Sequence, residues 1–95
     1  MKLKNLMTEM LEPVKGTTFI MIKTIPNAFD RFLMVDKAMI MRKGDVFKIT
    51  DVDNEYIALS CVNGPTKSQY PKEGLWFGKR DYIKSLQKGI IQIIS

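Results

Sequence analysis

The residues that decide the fold are KGDVFKITDV at positions 43–52, DNE at 53–55 and YIALSCV at 56–62. In the first segment the apolar residues Phe47 and Ile49 alternate with polar ones, which is the period-two pattern of a half-buried strand. The third segment has the same period, with Ile57 and Leu59 on one face. The short polar run between the two segments is typical of a turn. The sequence therefore predicts an antiparallel hairpin that turns at 53–55.

Further short apolar runs, separated by Gly, Pro and Asn, lie on both sides of this hairpin. They occur at 17–25, 29–35, 38–41, 75–77 and 90–94, with one helical turn expected at 80–86 and the longest loop at 63–74. Ninety-five residues are enough for one core only. Many short strands at regular spacing favour a small barrel over a helical fold. We expect a single mostly-β domain, residues 1–95, in which 17–95 form a barrel of five or six short antiparallel strands.

The N-terminal residues have a different period. Their apolar side chains recur at the i, i+3, i+4, i+7 spacing of an amphipathic helix over residues 2–12, namely Leu3, Leu6, Met7, Met10 and Leu11. Pro13 ends the pattern. Because so short a helix does not persist alone in water, its apolar face must pack on something. It either caps an open end of the barrel or docks into the groove of a partner protein.

The last strand is unusually apolar. The run Ile90-Ile91-Gln92-Ile93-Ile94 would be a liability as an uncovered sheet edge. We expect it to pair with residues 19–22 and close the barrel. Failing that, it pairs with another chain, which makes a homodimer the alternative.

Positive charge is concentrated in the last third of the chain. The formal net charge is +5, and residues 66–95 carry six basic side chains against Glu73 and Asp81. Clustered cations attract polyanions, and interleaved aromatic rings can stack on bases. This predicts a nucleic-acid-binding face; the alternative is a soluble basic surface with aromatic residues in the core. The predicted contacts are Lys67, Tyr70, Lys72, Trp76, Lys79, Arg80, Lys84 and Lys88.

The residue types argue against catalysis. There is no histidine and only one cysteine, Cys61, so the commonest general base and a disulfide within the chain are both excluded. No phosphate-binding glycine loop is present. The acidic residues at 51, 53 and 55 lack the rest of a calcium loop and read as a solvated turn. We therefore expect no enzyme activity, no metal and no cofactor. The unpaired cysteine and the lack of a bilayer-length apolar run favour a cytoplasmic protein away from membranes.

The order of motifs over residues 38–94 resembles that of SH3-like small barrels. Lys43-Gly44-Asp45 entering a strand is similar to the centre of such domains, and residues 74–77 resemble their closing strand. Residues 81–86 resemble the 3₁₀ turn, which there carries a tyrosine, here Tyr82. The resemblance implies a closed barrel that binds RNA, DNA or protein. It does not imply recognition of Pro-rich peptides, because Tyr56 stands where the groove tryptophans would be.

Two classes of non-enzymatic function follow. The first is binding of nucleic acid, either single-stranded or structured, through the basic C-terminal residues. The second is a protein-binding inhibitor or adaptor that docks on a partner enzyme or an acidic protein surface through Leu3, Leu6, Met7, Met10 and Trp76. The short, Lys- and Ile-rich chain without histidine is similar in make-up to small accessory proteins of bacteriophages.

Overall fold

The computed structural model of the chain describes residues 12–26, 29–31 (backbone only) and 40–95. Within these ranges the elements are β1 (Thr18–Met21), β2 (Phe29–Arg31), β3 (Val46–Val52), β4 (Tyr56–Asn63), a 3₁₀ turn (Lys67–Gln69), β5 (Leu75–Gly78), α1 (Lys79–Gln87) and β6 (Ile91–Ile93). The strands form one antiparallel sheet in the order β2-β5-β4-β3-β1-β6. The expectation of a mostly-β chain with short antiparallel strands is confirmed for the described residues.

The central hairpin forms as predicted. β3 pairs with β4, and the intervening residues make the turn, in which Asp53 Oδ1 accepts the N–H groups of Glu55 and Tyr56 at 2.9 and 2.7 Å. The register slips twice, between Val46 and Phe47 and between Ile49 and Asp51. Such bulges increase the twist of a sheet. They let β3 and β4 curl around the core.

The core lies on one side of the curled sheet. Alternation places Phe19, Phe47 and Leu59 on the inner face, where each is almost completely buried. The ring of Phe19 stacks against Phe47 at 5.9 Å and meets Tyr82 of α1 edge-on at 5.6 Å. Aromatic contacts of this geometry add to the free energy gained by burial. The helix is therefore part of the same core as the sheet.

The prediction of a closed barrel is wrong: β2 and β6 stand at opposite ends of an open sheet. The predicted pairing of the last strand with β1 is nevertheless confirmed, since Phe19 stands opposite Ile93 and Met21 opposite Ile91. This pairing extends the sheet instead of closing it. The helix α1 contacts both β5 and β6 and covers the core between the sheet ends. It seals the core where a closed barrel would use strand pairing.

The single helical turn expected near residue 82 is also wrong. The structure has a nine-residue α-helix there, which begins directly after β5 without a linker. Tyr82 and Ser85 are its buried residues. In the described part of the chain no helix is long and apolar enough to cross a bilayer. The predicted N-terminal helix, including Leu3, Leu6, Met7 and Met10, lies outside the described residues.

The two faces of β1 should differ in their tolerance of truncation. We expect Phe19→Ala to lower the free energy of unfolding by about 3–5 kcal/mol, because the ring is fully buried among aromatic neighbours. Ile20→Ala, on the outer face of the same strand and only half-buried, should cost about 1 kcal/mol. Urea denaturation of both variants measures this. Equal losses would contradict the assignment of the inner face.

Candidate nucleic-acid interface

The residues predicted to bind nucleic acid are divided among three parts of the fold. Lys79, Arg80, Lys84 and Lys88 belong to α1 and its C-cap, and Trp76 lies in β5. The others, Lys67, Tyr70 and Lys72, belong to the segment that connects β4 to β5. The positions of these parts around the pair β4–β5 decide which side chains share a surface.

The outer face of β4 and β5 carries two aromatic rings, Tyr56 and Trp76, and the smaller side chains of Ala58 and Ser60. Trp76 stands opposite Ala58 in the register, and it is half-buried. Strand alternation puts Tyr56 and Ser60 on the same outer face as Ala58, because Ile57 and Leu59 point into the core. We call the surface formed by Tyr56, Ala58, Ser60 and Trp76 the β4–β5 strip.

A groove opens at the Tyr56 end of this strip. It has a volume of about 570 Å³ and lies between the hairpin turn and the start of α1. The N–H of Lys79 donates to the carbonyl of Glu55 at 2.8 Å and so fixes the helix start against the hairpin. The groove is lined by Asn54, Glu55, Tyr56, Gly78, Lys79, Arg80, Asp81, Ile83 and Lys84. Its three cations outnumber its two carboxylates, and we call it the helix groove.

A second recess lies at the Ser60 end of the strip. It has a volume of about 600 Å³, and its lining contains the cations Lys67 and Lys72 but no acidic side chain. Both lysines are exposed. Ser60 is four positions after Tyr56 in β4, which corresponds to roughly 13 Å at the rise of a strand. We call this second recess the loop recess. Basic side chains therefore lie at both ends of the β4–β5 strip, and Trp76 lies between the two ends.

A buried acid, Asp45, anchors the loop residues that lead into the loop recess. Asp45 is fully buried, and its carboxylate accepts the N–H of Thr66 at 2.9 Å and also the Thr66 hydroxyl. Gly64 packs directly on Asp45 with φ of +118°, so that a Cβ at Gly64 would lie 2.5 Å from the Asp45 Cα. A buried carboxylate is stable only when its oxygens are hydrogen-bonded. The start of the β4–β5 loop is therefore fixed to the turn before β3.

Tyr70 was predicted to stack on a base, but its side chain is buried. Its side chain is 8% exposed, its ring meets Phe47 edge-on at 5.1 Å, and its hydroxyl accepts the N–H of Arg42 at 2.9 Å. Burial raises the pKa of Tyr70 to about 12. A ring held in this way cannot stack on a base, so we correct the prediction. Tyr70 instead forms part of the base of the loop recess.

Lys88 also lies apart from the β4–β5 strip. It does not line the helix groove but a smaller recess of about 250 Å³ with Ile25, Phe77 and Ile90, to which Asp81 and Lys84 of the helix groove also contribute. The structure thus brings Lys79, Arg80 and Lys84 together at one end of the strip and Lys67 and Lys72 at the other. Sequence reasoning missed Tyr56 and Ser60. The alternation of β4 places both on one face, but only the pairing of β4 with β5 shows that they flank Trp76.

Cys61 lines the loop recess together with Lys67 and Lys72. Its thiol donates to the carbonyl of Asn63 at 3.3 Å. Burial raises the pKa of the Cys61 thiol to about 11, and the negative charge of Asp45 acts in the same direction. The thiol is therefore protonated at neutral pH and is a poor nucleophile.

Comparisons with known proteins return no relative: no family model, no curated protein and no solved structure matches this chain. In the described ranges no group of Cys, Asp and Glu side chains is arranged to hold a metal ion.

The contact between Gly64 and Asp45 should make Gly64 far less replaceable than other glycines of positive φ. We expect Gly64→Ala to lower the free energy of unfolding by about 3 kcal/mol or more, since backbone strain and a collision act together. Gly16→Ala is the control, because Gly16 has φ of +96° but nothing within 4 Å of a new Cβ. It should cost about 1–2 kcal/mol. Chemical denaturation distinguishes the two, and similar losses would contradict the close packing.

Alkylation of Cys61 reports on the loop recess. Because its pKa is about 11 where a thiol ordinarily has 9.0, the thiolate fraction at pH 8 is lowered roughly 100-fold. A thiolate of higher pKa is also the more reactive nucleophile, which offsets part of this loss, so iodoacetamide should modify the native protein about tenfold more slowly than the protein unfolded in urea. Cys61 is the only cysteine, so mass spectrometry gives the rate without ambiguity. Rates within a few-fold of each other would show that the recess does not bury the thiol.

Proposed function

We propose that this domain binds single-stranded nucleic acid across the β4–β5 strip. The observation that carries the proposal is the position of Trp76 between two recesses that both contain lysine side chains. A sequence-tolerant binder of single strands combines an aromatic platform for bases with cations that follow the phosphates. In this arrangement Trp76 stacks on a base, while Lys79, Arg80 and Lys84 contact phosphates on one side and Lys67 and Lys72 on the other.

The geometry favours a single strand over a duplex. A base can stack on Trp76 only when one face is free of its neighbours, as in a loop or an unpaired strand. Trp76 is half-buried in the sheet, so it offers a fixed surface instead of a mobile wedge. No catalytic step is part of this proposal, which describes a cytoplasmic binding module.

Binding can be measured by the fluorescence of the protein itself. Trp76 is the only tryptophan, so stacking of a base on its ring should quench the intrinsic emission on titration with an oligonucleotide. Trp76→Ala should weaken binding by 1–3 kcal/mol, or roughly 5- to 150-fold in Kd, measured by anisotropy of a labelled oligonucleotide. An affinity unchanged by this substitution would contradict the role of Trp76.

The charged part of the site has its own test. For single strands each phosphate contact contributes about 0.7 to the slope of log K against log salt. The double substitution Lys79→Ala, Arg80→Ala should therefore reduce the slope by about 1.4. Lys88→Ala is the matched control, because this lysine lies on the same helix but outside the strip. The absence of binding at low salt, or an equal effect of Lys88→Ala, would overturn the proposal.

The alternative is a protein-binding inhibitor or adaptor that uses the same strip. The observation in its favour is Val62, which is 39% exposed at the end of β4 and adds apolar area near Ser60. A Trp beside small side chains is also typical of protein interfaces. A pull-down from lysate before and after nuclease treatment distinguishes the two. A protein partner that is retained after nuclease favours the alternative, and loss of all captured material favours nucleic acid.

A further inference from the structure

Among the described residues, the outer edge of β6 is an end of the sheet, because β6 pairs with β1 on its other side and is the last strand of the order. Ile90 and Ile94, which flank β6, both bond toward the β1 side: the Ile90 carbonyl accepts the N–H of Ile22 at 2.8 Å, and the N–H of Ile94 donates to the carbonyl of Thr18 at 2.9 Å. Beyond them, Ser95 also exchanges hydrogen bonds with Thr18. In an antiparallel ladder the intervening residues then direct their N–H and C=O groups away from β1. These are the main-chain groups of Ile91 and Ile93, and no described residue pairs with them.

This edge lacks the features that keep natural sheet edges apart. Edge strands are normally protected by charged side chains, by proline or by bulges. The segment GIIQIIS at 89–95 contains no charge and no proline, and the ladder between β6 and β1 has no register shift. Ile93 is 42% exposed and Ile94 is 51% exposed. The edge therefore offers apolar side chains together with a row of main-chain donors and acceptors.

Charge favours this strand as the place where two copies of the chain meet. The chain has a net charge of +5, so contact between copies through most other surfaces brings like charges together. The segment 89–95 carries no charged side chain, whereas lysines lie beyond both of its ends: Lys88 precedes it, and Lys15 precedes Thr18, whose N–H donates to the Ser95 carbonyl. Pairing of two copies along this segment therefore brings no charged side chains of the ladder itself together.

We propose that the outer edge of β6 pairs antiparallel with β6 of a second copy around a two-fold axis. Ile91 of one copy lies opposite Ile93 of the partner subunit, and Gln92 lies opposite Gln92 of the partner subunit on the axis. The same edge is used by both copies, which is the isologous contact of a symmetric dimer. The pairing satisfies the outward main-chain groups and joins the two open sheets into one. It does not depend on nucleic-acid binding.

The mass in solution tests this pairing. Sedimentation velocity over a range of protein concentrations should show the 10.9 kDa chain converting to a species of twice that mass. Ile93→Lys should raise the dimer dissociation constant at least about tenfold, because it puts a charge opposite Ile91 of the partner subunit in the new ladder. Val62→Lys is the matched control, since Val62 is 39% exposed and lies on β4 in the middle of the sheet. It should leave the dimer intact.

Three results would overturn the proposal: a monomer at every concentration, an Ile93→Lys dimer of unchanged affinity, or an equal loss with Val62→Lys. Amide hydrogen exchange keeps the test decisive if Ile93→Lys does not fold. In the unaltered protein the N–H groups of Ile91 and Ile93 should exchange more slowly as concentration rises, while exchange in β4 stays constant. Exchange at Ile91 and Ile93 that does not vary with concentration would exclude the β6 pairing.

Discussion

The hydrogen bonds of the buried Asp45 carboxylate hold together parts of the chain that are far apart in sequence. Its oxygens bind the N–H and hydroxyl of Thr66, and its own carbonyl accepts the N–H of Met21. One residue thereby links β1, the start of β3 and the loop between β4 and β5. Because a buried acid without partners is costly, the two hydrogen bonds from Thr66 are what makes burial of the Asp45 carboxylate possible. The shape of the loop recess depends on this link.

The same link explains why the eleven-residue segment between β4 and β5 can carry a defined surface. Long loops are usually mobile, and cations on them would then have no fixed positions. Here the loop is fixed at Thr66 by Asp45 and at Tyr70 by the N–H of Arg42. Lys67 lies between the two attachment points and Lys72 follows closely, so both are confined to one side of the molecule.

Local sequence pattern predicted the elements that depend on local alternation. Buried apolar residues recur at every second position in the central parts of β3 and β4, and the residues of the intervening turn are typical, so both strands were predicted. The helix α1 was underestimated because Ser85, one of its two buried residues, is polar, which interrupts the apolar stripe. The closure of the sheet could not be predicted, since it depends on whether a helix or a strand covers the last gap in the core.

The candidate site was predicted in composition but not in layout. The cations of the last third and Trp76 were identified from charge and aromatic content; in the structure Lys79, Arg80 and Lys84 line one recess, and Lys67 and Lys72 line another. Tyr70 was misassigned because its hydroxyl partner is 28 residues earlier in the chain, a contact that no local pattern reveals. Tyr56 was missed for the complementary reason: its neighbours on β5 are contributed by a pairing between distant residues.

The direct passage from β5 into α1 has a consequence for recognition. Gly78 ends the strand and the next residue begins the helix, so no hinge separates the sheet from the side chains of Lys79 and Arg80. A ligand that reaches both the strip and the helix groove meets groups whose main chain is already in its bound position. Little backbone entropy remains to be lost on binding, which favours rapid, rigid-body association over recognition by induced fit.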